Sequence, residues 1–435
     1  MKRRVRHDCS RQENPMKDYG FLLEEIKNSI QVATGCTEPV AIALNAAVAR
    51  KHTPGTIQKV EIYMDMGLLK NAMFVGIPGV KGRGVELCAA LGMIAGDPDD
   101  AMDVLSRIRP EHEELAQSLL PLISVVSREG CQELYIETII STDRETTRVI
   151  TYKNHDNIAL AEHPPFSEFV PQASDVPERL KEFSLEDIKA FADEVELEKI
   201  AFLEEGVTVN WRVAEKGLKL GFGRSLLELN RNDIWGDTLI PHVQMITGAA
   251  SFARMTGVQL PVMIATGSGN QGITIFLTVA AAAEKLKVSR EKLLRGLCLA
   301  MSVNILAKAY IGTLAPICAC GVASGLGASV GIVYILGGTT AQMMGAVRSM
   351  IGGITGMICD GAKEGCANKV AISAATAALS AMTAVSNFSI SGEDGILADD
   401  IHGVLRNMEQ LAKQGMTGTN RIILDIMKNK PRKGC

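Results

Sequence analysis

Aromatic side chains are scarce: Phe, Tyr and Trp together make up 4% of the 435 residues. A sandwich core filled with large rings is therefore not expected, whereas 41 glycines and 19 methionines suit helices packed closely through small residues. Charge of one sign is also lacking. Forty-five Lys and Arg nearly balance 49 Asp and Glu, for a net charge of -4, so neither nucleic acid nor an anionic membrane is expected as a partner. No apolar run follows the basic start MKRRVRHDCSRQENP, so no export signal is read. The expectation is a cytoplasmic protein whose ten cysteines are reduced thiols or metal ligands, not disulfides. Repeats and long low-complexity segments are absent too.

Residues 309–347, 39 positions in all, carry no charge, which is long enough to span a bilayer. The run holds eight glycines and Pro316 and breaks into pieces of ordinary helix length. Buried helices of a globular core are the reading; the Gly-interrupted helices of a transporter are the alternative.

The length predicts two domains. Residues 1–15 read as a disordered extension. Residues 16–175 read as an α+β domain: a helix over 17–34, a helix over 40–50, a strand hairpin over 58–76, helices over 85–95 and 98–127, and a second hairpin over 133–152. A proline-rich stretch between 160 and 185 marks the boundary. Residues 176–435 read as an all-α, Gly/Ala-rich domain in which strand signals almost vanish.

Four cysteines fall within 49 residues of that second domain, in the CAC of Cys318–Cys320 and in CDGAKEGC from Cys359 to Cys366. Together they could supply four thiolates to zinc. Zinc knuckles are small and polar, however, and these thiols sit in apolar, glycine-rich sequence, which suits an iron–sulfur cluster better. Inert buried thiols are the plain alternative. Cys36 lies in the turn ATGCTEP before a helix, where amide donors favour an anion or a thiolate. GIPGVKGRG places Lys81 and Arg83 in a flexible loop that could hold a carboxylate, or be only a turn. GSGNQG, from Gly267 through Ser268, Gly269, Asn270 and Gln271, opens a helix and forms an anion site for a substrate carboxylate, or a plain turn. It neither follows the dinucleotide pattern nor carries a P-loop lysine, so nucleotide binding is rejected. His242, in an apolar helix, is a core histidine or a base.

TGCTEP, VGIPGVKGRG, TGSGNQG, ICACG and ICDGAKEGC occur in this order from Thr34 to Cys366 and resemble the L-cysteine desulfidase family, also grouped as serine dehydratase alpha-subunit-like proteins. The last third also resembles the alpha domain of iron–sulfur L-serine dehydratases. This chain has CDG where that branch has CDP, and its second cysteine follows after a shorter spacing, which favours the desulfidase branch. The resemblance implies a [4Fe-4S] cluster on three cysteines with one iron open, and no pyridoxal phosphate. By the same resemblance the ligands would be Cys359, Cys366 and Cys318, with Cys320 as the alternative to Cys318. It implies conversion of L-cysteine to pyruvate, ammonia and hydrogen sulfide, with L-serine as the second substrate reading. A non-catalytic thiol- or metal-binding protein is the reading from outside the enzyme class. Cys36, Lys363 and His242 are the candidate bases. Cys435, at the end of a basic tail, could cap the open iron or be an idle terminal residue. A small amino acid is the expected partner, and a homo-oligomer stays open.

Overall fold

A computed structural model describes the chain except residues 1–16, 35–36, 78, 129–130, 132, 172–175, 233–234, 313 and 431–435. The expected extension, Cys36 and Cys435 therefore lie outside the described residues. The rest forms an N-terminal α/β region with a mixed sheet, followed by a mostly helical region.

Five strands build the mixed sheet: β2 (Ile57–Asp65), β3 (Ile123–Arg128), β4 (Tyr135–Thr142), β5 (Thr146–Tyr152) and β6 (Ile158–Glu162), in the order β3-β2-β4-β5-β6. Only the β2–β3 pair is parallel. β4 and β5 form the hairpin expected over 133–152, with Tyr135 opposite Tyr152. The helices Thr37–Lys51 and Val85–Ala95 pack on this sheet, and Leu44, Ile62, Leu91 and Ile136 are fully or nearly fully buried between them.

The hairpin expected over 58–76 does not form. After β2 the chain turns into the helix Met66–Ala72, because the Asp65 carboxylate accepts from the Leu68 N–H and caps its start. The sequence MGLLKNA then supplies good helix formers. Residues 98–127 also differ from a single helix. They give a short 3₁₀ turn (Pro98–Asp103), a helix (Pro110–Gln117) and then β3, whose residues alternate in exposure as a half-buried strand does.

The helix expected over 17–34 ends at Asn28. Residues Ile30–Thr34 become β1, which pairs antiparallel with β7 (Pro261–Ala265), a strand inside the half expected to be helical. Five-residue apolar runs such as PVMIA cannot be told from buried helix by periodicity. Leu22, Leu23 and Ile26 join the helical core, so the division near residue 175 does not extend to the first helix.

In the helical region Leu239–Met255 packs against Leu203–Gly217, Gly269–Leu286 and Cys366–Val385, while Arg290–Ile311 packs against Val322–Ile335. Arg290–Ile311 is long and apolar enough to cross a membrane, yet 83% of its apolar window is buried inside the molecule, as in a core helix. The uncharged run 309–347 is broken between Ile311 and Val322 and again between Ile335 and Thr340.

Candidate active site

The two regions meet at a cavity of about 70 Å³, far below the roughly 300–1,000 Å³ typical of drug-sized ligands. The described residues of its walls come from six separate segments.

Three belong to the helical region. β7 reverses into the helix Gly269–Leu286 through a two-residue turn in which Ala265 and Ser268 exchange both backbone hydrogen bonds. Thr266 and Gly267 at its centre both have positive φ, 44° and 80°. For a β-branched residue that conformation is strained, and local bonds hold it. The Thr266 hydroxyl donates to Gln271 Oε1 at 2.7 Å and accepts from Asn304 Nδ2 at 3.1 Å. Gly272 must lack a side chain because a Cβ there would stand 2.0 Å from the Met263 carbonyl oxygen, so the helix start is pressed against β7. Gly267, Ser268 and Gln271 face the cavity at the N-terminus of this 18-residue helix, whose first turn has no side-chain cap. The positive dipole and amide donors of such a helix start suit an anion.

The second and third segments carry the thiols. Ile317 and Ile358 form an antiparallel bridge in which the Cys318 N–H donates to Met357 O at 2.8 Å and the Cys359 N–H donates to Pro316 O at 2.7 Å. Side chains alternate across a strand, so Cys318 and Cys359 project from the same side of the bridge. Both line the cavity, as does Cys320, whose sulfur lies 3.4 Å from Ser268 Oγ. Cys366 is the first residue of the helix Cys366–Val385 and does not line the cavity; its thiol donates to Gly361 O at 3.5 Å. Cys318 lies within electrostatic reach of the other three thiols, and Cys366 within reach of Cys320 and Cys359. A hydrogen bond from Cys318, with support from Ser268 and the nearby Arg254 cation, lowers the Cys320 thiol to about 7. Cys318 is raised as the donor of that bond, and burial pushes Cys366 up to about 12. Burial lowers the nearby Lys308 ammonium to about 8.

The other three segments come from the α/β region. The helix Met66–Ala72 contributes Gly67, Lys70 and Asn71. Lys70 is 1% exposed, and its ammonium donates to Cys359 O at 2.6 Å and to Asn420 Oδ1 at 2.8 Å. Gly361, at φ 98°, lets the thiol loop lie directly on the end of this helix, since a Cβ there would be 2.8 Å from Lys70 O. Glu38, in the first turn of Thr37–Lys51, is the one acidic side chain among the described lining residues. It accepts from Asn71 Nδ2 at 3.0 Å and from Thr37 Oγ1 at 3.1 Å. His155, in the turn between β5 and β6, also lines the cavity.

Of the residues singled out in the sequence, Gly267, Ser268, Gln271, Cys318, Cys320 and Cys359 come together on the wall. Gly269 is packed against the Arg254 guanidinium, and Asn270 is buried behind the turn, where it accepts from Ser251 Oγ at 3.1 Å. Lys363 pairs with the Asp360 carboxylate, as Lys369 also does. Arg83 stands 4.0 Å from Glu364, while the Lys81 N–H donates to Glu113. His242 is on a different helix face, with Nε2 2.8 Å from Glu284 and Nδ1 3.5 Å from Asp237. None of these last four lines the cavity. Glu38, Lys70, Asn71 and His155 were not singled out, although Glu38 belongs to the TGCTEP motif and opens a helix, a usable signal.

Among the described residues no three His, Cys, Asp or Glu side chains close around one point as a single metal ion requires. Thiolates that hold a cluster bind different irons and stand farther apart than the ligands of one ion.

The family model of the serine dehydratase alpha chain matches residues 99–425. A UPF0597 protein of Clostridium tetani is 36% identical over 423 residues, which cover 95% of this chain and 99% of that protein. A UPF0597 protein of Caldanaerobacter subterraneus is 35% identical over 422 residues, with coverages of 95% and 99%. A UPF0597 protein of Aeromonas salmonicida is 35% identical over 418 residues, with coverages of 93% and 95%. With three quarters of its length matched and every described lining residue of the cavity except Glu38, Gly67, Lys70 and Asn71 inside that match, the chain belongs to the serine dehydratase alpha chain family.

Proposed function

We propose that the protein is a lyase that eliminates the β-substituent of a small amino acid, with L-cysteine as substrate and pyruvate, ammonia and hydrogen sulfide as products. The carrying observation is that thiols from two loops and the bare N-terminus of Gly269–Leu286 line one small cavity. The residues present fit a [4Fe-4S] cluster: they offer soft thiolate donors in an apolar wall of Leu314, Ala315 and Ile317, with the buried Lys70 ammonium beside the Cys359 carbonyl. Cys359, Cys366 and Cys318 would hold it, with Cys320 as the alternative to Cys318. When bound, such a cluster supplies an open, soft Lewis-acidic iron, which favours a sulfur ligand over a hydroxyl.

The chain's own groups account for the rest of the recognition. Amides of the Gly267–Gln271 turn receive the α-carboxylate. The Glu38 carboxylate, held by Asn71 and Thr37, receives the α-ammonium. These contacts fix which face of Cα is turned to the wall and keep the Cβ substituent toward the thiol loops. L-Serine is the second reading, since carboxylate and ammonium recognition is the same for both amino acids.

The test is an anaerobic preparation assayed for iron, acid-labile sulfide and turnover. Bound iron and sulfide, with faster sulfide release from cysteine than pyruvate formation from serine, are the expected results. Faster turnover of serine moves the protein to the dehydratase reading, and protein without iron that still turns over removes the cluster. Cys359→Ser is expected to lose cluster absorbance and turnover together, by about two orders of magnitude or more.

A further inference from the structure

The elimination needs a base at Cα, and the residues considered from the sequence either line other surfaces or lie outside the described residues. Lys363 is engaged by Asp360, and His242 by Glu284 and Asp237. We propose that His155 is the base that takes the Cα proton of the amino-acid substrate, an assignment that rests on the elimination reading above.

Three observations converge on it. His155 lines the cavity although it is only 8% exposed. Its ring packs on the carboxylate turn: Nδ1 and Cε1 are 3.3 and 3.4 Å from where a Cβ on Gly267 would stand, so the imidazole occupies the space that glycine leaves. Its Nε2 is buried and has no hydrogen-bond partner among the described residues. A polar atom left unsatisfied beside a cavity marks a group that a ligand completes. Cα is one bond from the carboxylate, so a substrate held by the Gly267–Gln271 amides presents its Cα proton next to that ring.

The ring is also held firmly and in the right state. Its turn is closed by the Asn157 side chain, which donates to Tyr152 O at 2.9 Å, and by Lys153 in the left-handed region at φ 66°. Glu38 and Asp156 are the acidic groups that reach it, and Lys308 and Arg254 the basic ones. Burial holds the imidazole below its ordinary value, so it is neutral and able to accept a proton near neutral pH. Glu38 is the one carboxylate among the described lining residues, but its two oxygens already accept from Asn71 and Thr37, which suits a fixed counter-charge to the ammonium.

The step balances without an external oxidant or reductant. Nε2 takes the proton, the Cα–H electron pair becomes the second bond between Cα and Cβ, and the Cβ–S bond breaks with its pair on sulfur. Aminoacrylate and hydrosulfide result. Aminoacrylate tautomerises to the imine and takes up water to give pyruvate and ammonia, while the imidazolium returns its proton to solvent.

His155→Asn and His155→Ala, purified anaerobically beside the wild type, test the assignment. Expected are wild-type iron content and visible spectrum in both variants, a kcat lower by a factor on the order of 10²–10⁴, and a KM within a few fold. With α-deuterated cysteine the variants should show a larger primary isotope effect, and added imidazole should restore part of the His155→Ala turnover. A group that only packs against Gly267 would move neither. An unchanged kcat, or a raised KM with kcat intact, overturns the base. A variant that loses iron and spectrum and gains nothing from imidazole overturns it as well, since the residue then serves structure. A wild type that binds no cluster and releases no sulfide sinks the elimination reading itself, and the base with it.

Discussion

A thiol's chemistry here is set by its neighbours rather than by its place in the chain. Cys298 is fully buried among aliphatic side chains and is pushed up to about 12 by loss of solvation, with no compensating partner of note. Cys320, with Cys318 and Ser268 donating to it, sits at about 7. In metal-free protein, brief alkylation near roughly pH 8 should therefore label Cys320 ahead of Cys298 and Cys366, as read by peptide mass mapping. Labelling of Cys298 first would contradict the assignment. The same contrast explains what could be read from sequence at this scale. CAC and CDGAKEGC stand out because clustered cysteines are rare, and GSGNQG because glycines before a helix have a known use. His155 is a single histidine in a polar turn, more than a hundred residues before Gly267, and nothing local distinguishes it from a surface residue. Only the fold brings it onto the cavity.

At the scale of elements, helix and strand were legible where a pattern ran long and obscure where a cap or a partner decided. The Val85–Ala95 helix is an eleven-residue run rich in good helix formers after a glycine loop, and the sequence of the β4–β5 hairpin alternates. β1 and β7 carry no such signal: each is five residues long, and they exist because they pair with each other across more than two hundred residues of sequence. The turn from β2 into Met66–Ala72 depends on Asp65, which accepts from the Leu68 and Tyr135 N–H groups. Burial raises this carboxyl to about 6 in spite of those donors. Its unfolded value is near 3.9, so between about pH 4 and 6 the folded chain binds more protons than the unfolded one. Asp65 therefore contributes stability at low pH that is lost as pH rises through that window, by up to ~3 kcal/mol. Urea unfolding of wild type and Asp65→Asn across that range checks the sign: the wild type should lose ground relative to the variant as pH rises, and a gain would refute it.

At the scale of the whole molecule, the cavity belongs to neither region alone. The helical side supplies the thiol loops and the turn of Thr266 and Gly267; the α/β side supplies Glu38, Asn71, Lys70 and His155. Lys70 is the clearest bond between the two. A fully buried lysine is rare, and this one donates to neutral oxygens: the carbonyl of Cys359 and the amide of Asn420 in the last helix, Thr419–Lys428. Its charge is costly to bury, but those two bonds hold the Cys359 loop against the end of Met66–Ala72, where Ala362 N also donates to Asn71 O. Replacing Lys70 with Met keeps the apolar stem and removes the charge, so the expected stability change is small or moderate, within about 3 kcal/mol of either sign. The effect on the site should be larger. With its carbonyl unheld, the Cys359 loop loses its fixed position, and iron bound after anaerobic reconstitution should fall severalfold while the circular dichroism spectrum stays that of the wild type. Asn420→Ala, which leaves the bond to Cys359 intact, should retain most of the iron. Equal iron loss in both variants would mean that the last helix, not the lysine's hold on Cys359, keeps the two regions in register; full iron in Lys70→Met would mean that the thiol loop positions itself without help from the α/β side.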